Sequence, residues 1–474
     1  MTANTATERR RVTTLLAAAA IGVYLLIVVG ATTALTEATQ ACSTWPLCGT
    51  DLSDPRVLIA WGHRLAALVV GVVVLAALVT TWRSSTSRRA KATLLVPFVL
   101  YPVQIGLGAL AATATTATAD WLSTLHLLSG MAIFVGLVLA LAWTLELGTD
   151  DTAPVTDPDP LTATPTDTDT GETPSLQTPS PPSGPLARAR RIGAAYFRLM
   201  KPRLMWLLCL VAAAGMALAA GPSLDAGIVI RVLGGGVLAI GASGTFNHVL
   251  ERKKDRKMQR TSDRPLATDQ VGVTNALAFG LLLAAASLAL FLSVNLLAAA
   301  LGLCAILFYS VIYTLVLKPN TVQNTVLGGA AGALPALIGW VGVTGTVGVP
   351  GLALAGVIFL WTPAHFYNLA LAYKDDYARG GFPMLPVVRG ERVTRRHIVW
   401  YLAATLLGAS VLSAVTSLGW LYAGATVAFG ALFLWTVVRL HRERSEQAAF
   451  RAFHASNAYL GALLFAIVVD AILL

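Results

Sequence analysis

Asn247-His248-Val249-Leu250-Glu251-Arg252-Lys253-Lys254-Asp255 follows a long apolar run, and the polar stretch continues through Arg260-Thr261 to Arg264-Pro265-Leu266. The change is abrupt in a chain with only 12% charged residues. An apolar run of about 20 residues that ends in charge reads as a membrane-spanning helix reaching water. Asn247, Glu251 and Asp255 stand at i, i+4 and i+8. At about 100° per residue they fall within an arc of about 80°, on one helical face. Oxygen atoms converging from one face suit a hard divalent cation such as Mg²⁺, which binds through a few carboxylates plus the oxygens of a substrate phosphate. The same stretch, taken alone, also reads as a solvated charged cap on a membrane helix.

Outward from this stretch, the alternation of apolar run and charged loop recurs along all 474 residues, of which 56% are hydrophobic. The expected fold class is therefore all-α integral membrane, with about 13 transmembrane helices. Strand-like alternation is missing, which counts against a β-barrel. The formal net charge is +10, but the basic residues sit in alternate loops. That is the positive-inside pattern, and it favours the lipid bilayer over nucleic acid as partner. Arg9-Arg10-Arg11 precede an apolar run over about 13–37. This run is too long for a signal-peptide core and is read as the first span.

Three segments are expected. Residues 1–146 carry four spans, about 13–37, 57–82, 92–114 and 121–145. Residues 147–187 are dominated by Thr, Pro and Asp, as in Asp157-Pro158-Asp159-Pro160 and Pro179-Ser180-Pro181-Pro182. Such a composition cannot form a packed core and reads as a disordered tether. Residues 188–474 carry about nine spans: 203–220, 225–247, 272–293, 295–316, 323–345, 349–372, 397–419, 420–440 and 454–474. If the spans alternate, the basic clusters at 251–264, Lys318, 374–396 and 439–451 share one side, expected to be cytoplasmic in a cell-membrane protein with a cytoplasmic N-terminus.

That side carries a second polar stretch, Tyr373-Lys374-Asp375-Asp376-Tyr377-Ala378-Arg379-Gly380-Gly381, at the end of the span containing Trp361-Thr362-Pro363-Ala364-His365-Phe366-Tyr367. Carboxylates from two stretches, Asp376 with Asp375 facing Glu251 and Asp255, can hold a diphosphate between bound metal ions. Arg260, Arg264, Lys318 and Arg379 are candidate phosphate ligands, and each alone also reads as a positive-inside anchor. Ionisation of an allylic diphosphate suits this set, because metal and basic side chains stabilise the departing anion and an apolar bundle shields the carbocation from water.

The stretch from Asn247 to Leu266 resembles the first aspartate-rich motif of the UbiA superfamily of intramembrane prenyltransferases, and more narrowly its protoheme IX farnesyltransferase (heme O synthase) branch. Lys201-Pro202-Arg203, Tyr313-Thr314-Leu315-Val316-Leu317-Lys318 and Gly328-Gly329-Ala330-Ala331-Gly332-Ala333-Leu334-Pro335 match that branch, as do Ile338-Gly339-Trp340, Pro363-Ala364-His365-Phe366 and Phe382-Pro383-Met384-Leu385-Pro386-Val387-Val388. The resemblance covers about residues 195–474 and implies a UbiA-type bundle of nine helices. It implies Mg²⁺ and diphosphate at Asn247, Glu251, Asp255 and Asp376, with Asp375 beside the last, and diphosphate at Lys318, Arg260 and Arg264. It also implies attack on a farnesyl cation, from farnesyl diphosphate, by a vinyl group of heme B to give heme O for heme-copper oxidase assembly. His365 would contact the porphyrin or its iron, or serve as a structural histidine at a helix end. Three residues depart from the pattern: His248 replaces an aspartate or asparagine, Glu251 an aspartate, and Lys253 a further acid. Heme A synthase and cytochrome oxidase assembly factors are the protein partners such an activity implies.

In the first segment, His63 lies in Ala60-Trp61-Gly62-His63-Arg64 and His126 in Ser123-Thr124-Leu125-His126-Leu127-Leu128, both toward the outer face. Each alone reads as a hydrogen-bonded interior histidine; two at matching depth can clamp a heme iron. Cys42 and Cys48 flank Trp45-Pro46 on the oxidising side, consistent with a disulfide, a free thiol pair or a metal site. Cys209 and Cys304 read as packing residues. Together with Gln104 to Gly108, these features resemble one half of the heme A synthase family over about residues 13–145, which implies a four-helix heme-type bundle. Ala60 stands where that family's glutamate falls, and its absence counts against heme A synthase activity. Binding of heme, acceptance of heme O and delivery of heme B to the second segment all remain compatible. Two alternatives stand beside farnesyl transfer to heme B: a UbiA-type enzyme with a quinone or lipid acceptor, and a heme-binding transport or assembly protein.

Overall fold

The computed structural model describes residues 3–35, 44–48, 53–114, 116–146 and 184–473, and these are helical with no strand among them. Among the described residues, thirteen helices are long and apolar enough to cross a membrane, so the chain is a multi-pass membrane protein. All thirteen expected spans are present. Several boundaries move: the span expected at 397 begins at Gly390, and the last begins at Glu446 instead of 454. Their first two turns carry charge (Glu391, Arg392, Arg395, Arg396; Glu446, Arg451), which masks the start of the helix in the residue pattern. The tether expected at 147–187 lies outside the described residues up to 183, and its last residues open a helix at Pro185.

The first four spans are α1 (Ala3–Leu35), α2 (Pro55–Arg83), α3 (Leu95–Thr113, preceded by a short turn of helix at Arg88–Thr93) and α4 (Thr116–Glu146). α1 packs on both α2 and α4, and α3 packs on α4. α1 and α4 also pack against the second half of the chain, leaving α2 and α3 as the outer, lipid-facing layer. An amphipathic helix, α5 (Pro185–Leu199), precedes the nine further spans. These comprise α6 (Pro202–Ala220), α7 (Ala226–Asp255), α8 (Val273–Leu292), α9 (Leu296–Leu307, continued as a π-helix over Phe308–Leu317), α10 (Asn324–Thr344) and α11 (Val349–Ala372). After the short α12 (Lys374–Arg379) come α13 (Gly390–Ala414), α14 (Trp420–Glu443) and α15 (Glu446–Leu473).

In lipid there is no hydrophobic drive between helices, so small residues that let backbones approach decide the contacts. Gly215 of α6 lies against Ala336 of α10, and Gly339 of α10 against Ala212 of α6, with no room for a Cβ at either. The two halves of the chain share one apolar core, in which Leu16, Tyr24, Phe134 and Leu141 sit with Leu406, Leu434 and Tyr459. Polar contacts close the same seam: Arg442 donates to Thr13 Oγ1 at 2.7 Å, and Glu146 lies 3.2 Å from Arg396.

Candidate active site

Asp225 caps the start of α7 by accepting from the Ile228 N–H at 2.8 Å, and Arg252, Lys253 and Lys254 complement the negative end of its dipole. The helix therefore runs through the polar stretch to Asp255, and the three oxygen-bearing residues occupy its last turns. Asn247, Glu251 and Asp255 are 2%, 4% and 2% exposed. Charge at that depth needs a partner, and each of the three has a cation. Lys318 Nζ is 2.5 Å from Glu251 Oε1. Arg264 reaches both Asp255 oxygens, at 2.8 and 2.9 Å, and lies 3.9 Å from Glu251. Lys201 donates to Asn247 Oδ1 and, at 3.2 Å, to the Tyr309 hydroxyl. Asn247 in turn donates to Thr314 Oγ1 at 3.1 Å.

The π-helix over Phe308–Leu317 shapes the opposite wall. One extra residue per turn re-registers the helix, a feature frequent at functional sites. Thr314 Oγ1 donates to the Tyr309 carbonyl five residues back at 2.8 Å, so Tyr309, Thr314 and Lys318 all engage α7 or its partners. Lys201 is held in the left-handed region (φ 56°) between α5 and α6, a conformation that costs a non-glycine residue about 1 kcal/mol or more. Burial pushes its ammonium down to about 7, with Arg264 and Lys318 acting in the same sense and Glu251 and Asp255 opposing. The loop carries a cationic group poised near neutrality.

The second polar stretch lies across the loop that follows α7. Asp376 Oδ1 accepts from the Gln259 N–H at 2.7 Å and from Arg379 at 2.8 Å, and Oδ2 accepts from the Arg260 N–H at 3.2 Å. Burial alone would raise this carboxyl, but these donors outweigh it and hold it below the usual range. Arg260 stacks on Tyr373 and Tyr377, 5.0 and 5.4 Å from the ring centroids, and Met258 is buried with Tyr377, Phe382 and Met384. Phe382 joins the two clusters, with Lys254 and Lys318 each 4.3 Å from its centroid. Asp375 is exposed. The two carboxylate sets are thus latched through the loop over 256–264, and among the described residues no three His, Cys, Asp or Glu side chains group as a metal cluster by themselves.

Buried carboxylates ringed by arginine and lysine, at one membrane face of a bundle of apolar helices, suit a polyanionic headgroup on an apolar tail. Residues 208–462 match the UbiA prenyltransferase family. The chain belongs to that family. It is 63% identical over 473 residues to a protoheme IX farnesyltransferase of Haloarcula marismortui, with 98% of this chain and 100% of the relative covered. It is 44% identical to protoheme IX farnesyltransferase 1 of Saccharopolyspora erythraea, covering 60% of this chain and 92% of that relative. A solved structure described as digeranylgeranylglyceryl phosphate synthase in membranes shares the fold, with a TM-score of 0.51, 16% identity, and coverage of 60% of this chain and 99% of that one.

Within this UbiA-family chain the departures separate by position. Lys253 is exposed and off the buried face of α7. His248 is buried, and its Nδ1 has no hydrogen-bond partner. Lys201, Tyr309 and Thr314 escaped the sequence reading as site residues. The signal for Lys201 was the Lys201-Pro202-Arg203 match at the start of a span. His365 is locked between α11 and α15: Nδ1 meets Ser456 Oγ at 2.7 Å, and the ring stacks on Trp361 and Phe453 with centroids 4.2 and 4.3 Å apart. Those contacts favour its reading as a structural histidine.

In the first four spans, His63 and His126 sit on α2 and α4, which both pack on α1. His63 Cε1 faces Gly30 and His126 Cε1 faces Gly108. The Nδ1 atoms of both histidines and Gln104 Oε1 are buried without hydrogen-bond partners. Arg64, beside His63, donates to the Thr44 and Pro46 carbonyls at 3.2 and 3.0 Å and ties down the loop above. Ala60 is buried with Cys48 and Val57. Cys48 is disulfide-bonded, Cys209 and Cys304 are free, and Cys42 lies outside the described residues.

Proposed function

We propose that the chain transfers a farnesyl group from farnesyl diphosphate to a vinyl group of heme B, giving heme O, with the catalytic face toward the cytoplasm of the cell membrane. What carries this reading is the pair of buried carboxylates held by Lys318 and Arg264, with Lys201 on the neighbouring Asn247 amide, in a chain 63% identical to a named protoheme IX farnesyltransferase over nearly its whole length. Asn247, Glu251 and Asp255 offer oxygen donors alone, and Glu251 and Asp255 share one guanidinium, so they stand close enough for one cation to serve both. That donor set fits Mg²⁺, whose remaining positions are taken by water and phosphate oxygens. When bound there, Mg²⁺ supplies neutralisation of the diphosphate charge. Lys201, Lys318, Arg260 and Arg264 hold the diphosphate. Asp376 and Arg379 fix the loop that carries Arg260, and Asp375 is available at the exposed edge.

The bond between the farnesyl C1 and the diphosphate oxygen breaks, and its electron pair leaves with the diphosphate. The vinyl π electrons of heme B then form the new C–C bond to C1. Water adds at the resulting cation and releases a proton, giving the hydroxyethylfarnesyl group. The basic side chains stabilise the leaving anion, and the apolar helices keep water from C1 until the C–C bond exists. The test incubates membranes containing the protein with heme B, farnesyl diphosphate and Mg²⁺ and follows heme O by chromatography and mass. No heme O from the wild type, or an undiminished yield from Asp255→Ala, would overturn this reading. A quinone or lipid acceptor would appear as prenylation without heme O.

The first four spans are proposed to bind heme between His63 and His126, as in one half of a heme A synthase. The observation that favours this is the trio of buried orphan atoms, His63 Nδ1, His126 Nδ1 and Gln104 Oε1, beside Gly30 and Gly108. An unpaired buried polar atom costs about 1–3 kcal/mol, so such a cluster calls for a ligand. With alanine at position 60, binding is proposed without the family's oxidation step. Absorption spectra of the full chain test it: a low-spin heme unchanged in the His63→Ala, His126→Ala double variant would refute the site.

A further inference from the structure

The two halves of the chain meet at the membrane face that carries α12 around a cavity of about 350 Å³, lined by Ser87, Arg88, Arg89, Trp143, Glu146 and Arg392. It lies where the connection between α2 and α3, the end of α4 and the start of α13 come together. Arg89 and Arg396 stack on opposite halves' behalf against the Trp143 ring, with guanidinium carbons 5.3 and 5.7 Å from its centroid. Glu146 is the one acid in the lining, and it is engaged by Arg396 at 3.2 Å and Arg392 at 3.9 Å. Arg88 and Arg89 form no ion pair among the described residues, so the cavity keeps an excess of positive charge.

We propose that this cavity binds the phosphate of an anionic membrane lipid, which bridges the two halves. Guanidinium forks match phosphate oxygens bidentately, and basic pockets between helices at a membrane face are suited to anionic headgroups. Tryptophan belongs at that depth. The span that follows Arg88 and Arg89 exposes Leu95, Phe98 and Val99, an apolar surface for acyl or isoprenoid chains that a soluble phosphate would not use. The occupant is therefore a lipid headgroup and not free phosphate. The site is separate from the carboxylate cluster around Glu251 and uses none of its residues.

The test takes the full-length protein, stripped in detergent, and adds phosphatidylglycerol, phosphatidylcholine or inorganic phosphate. Native mass spectrometry counts the lipid retained, and thermal unfolding reads the stabilisation. The wild type is expected to retain phosphatidylglycerol and to unfold at a higher temperature with it, but not with phosphatidylcholine or inorganic phosphate. Arg88→Gln with Arg89→Gln should lower retention roughly tenfold, with heme O yield in the membrane assay unchanged. Arg88→Gln alone removes no ion pair and guards against a folding defect; it should show a smaller loss of the same kind. Equal retention in wild type and both variants would overturn the site. Equal stabilisation by inorganic phosphate would overturn the lipid as its occupant.

Discussion

Lys318, the first residue beyond the π-helical segment, reaches across to α7 and meets Glu251 at 2.5 Å. Both side chains are largely buried, and the pair ties the two walls of the site together. Breaking a buried pair by removing one partner leaves an uncompensated charge. Lys318→Ala should lower stability by about 3 kcal/mol and cut heme O formation by about 10²–10³-fold, the cost of losing one donor to a developing anion. Denaturant melts of the purified protein and initial rates in membranes check the two effects separately. A variant that folds normally and keeps full activity would remove Lys318 from the diphosphate site.

Asp255 holds Arg264 through both carboxylate oxygens. On the proposed Mg²⁺ site, the cation competes with that guanidinium for a carboxylate whose charge both need. Chelation should stop heme O formation and added Mg²⁺ should restore it. Asp255→Asn should raise the Mg²⁺ concentration needed for half-maximal rate by about tenfold or more. An unchanged Mg²⁺ dependence would take Asp255 out of the metal set.

Lys201 is held near 7, well below its usual 10.5. The sign of the effect on folding follows from proton counts. Between about pH 7 and the unfolded value the unfolded chain carries the proton and the native chain does not, so stability from this group rises with pH across that window. Substrate acts oppositely: a bound diphosphate favours the ammonium and draws a proton in. Binding of a non-hydrolysable farnesyl diphosphate analogue should take up a proton at about pH 8 and much less at about pH 6. Calorimetry in buffers of different ionisation enthalpy measures this, and Lys201→Arg should abolish the difference.

Gly244 lies under the turn that presents Lys201. A Cβ there would stand 2.8 Å from the Leu199 carbonyl oxygen and 3.3 Å from Lys201 Cγ. Backbone cannot yield as a side-chain tip can, so Gly244→Ala should displace the turn, at a cost of about 1–3 kcal/mol. The apparent KM for farnesyl diphosphate should rise before kcat falls. Kinetics on membranes with matched protein content separate the two, and unaltered kinetics would show that the turn tolerates the methyl group.

Thirteen spans, the face shared by Asn247, Glu251 and Asp255, and the membrane side common to both polar stretches were legible in the residues alone. Hydrophobic length and helical periodicity are local properties, and a bilayer enforces them because backbone groups must be satisfied within each helix. The partners of those three residues were not legible. Lys201, Tyr309 and Lys318 come from positions 46 to 108 residues apart from their partners, and a π-helical register that no periodicity announces turns Thr314 toward Asn247. Asp376 was recognisable as an acid at the right end of a span, yet only packing turned its oxygens onto the Gln259 and Arg260 N–H groups. The seam that joins Glu146 to Arg396 and Tyr24 to the core around Tyr459 likewise required the fold. Sequence by itself determined which residues face the same water layer; tertiary structure decided which charges neutralise one another, because pairing depends on distances of a few ångströms between helices that are far apart along the chain.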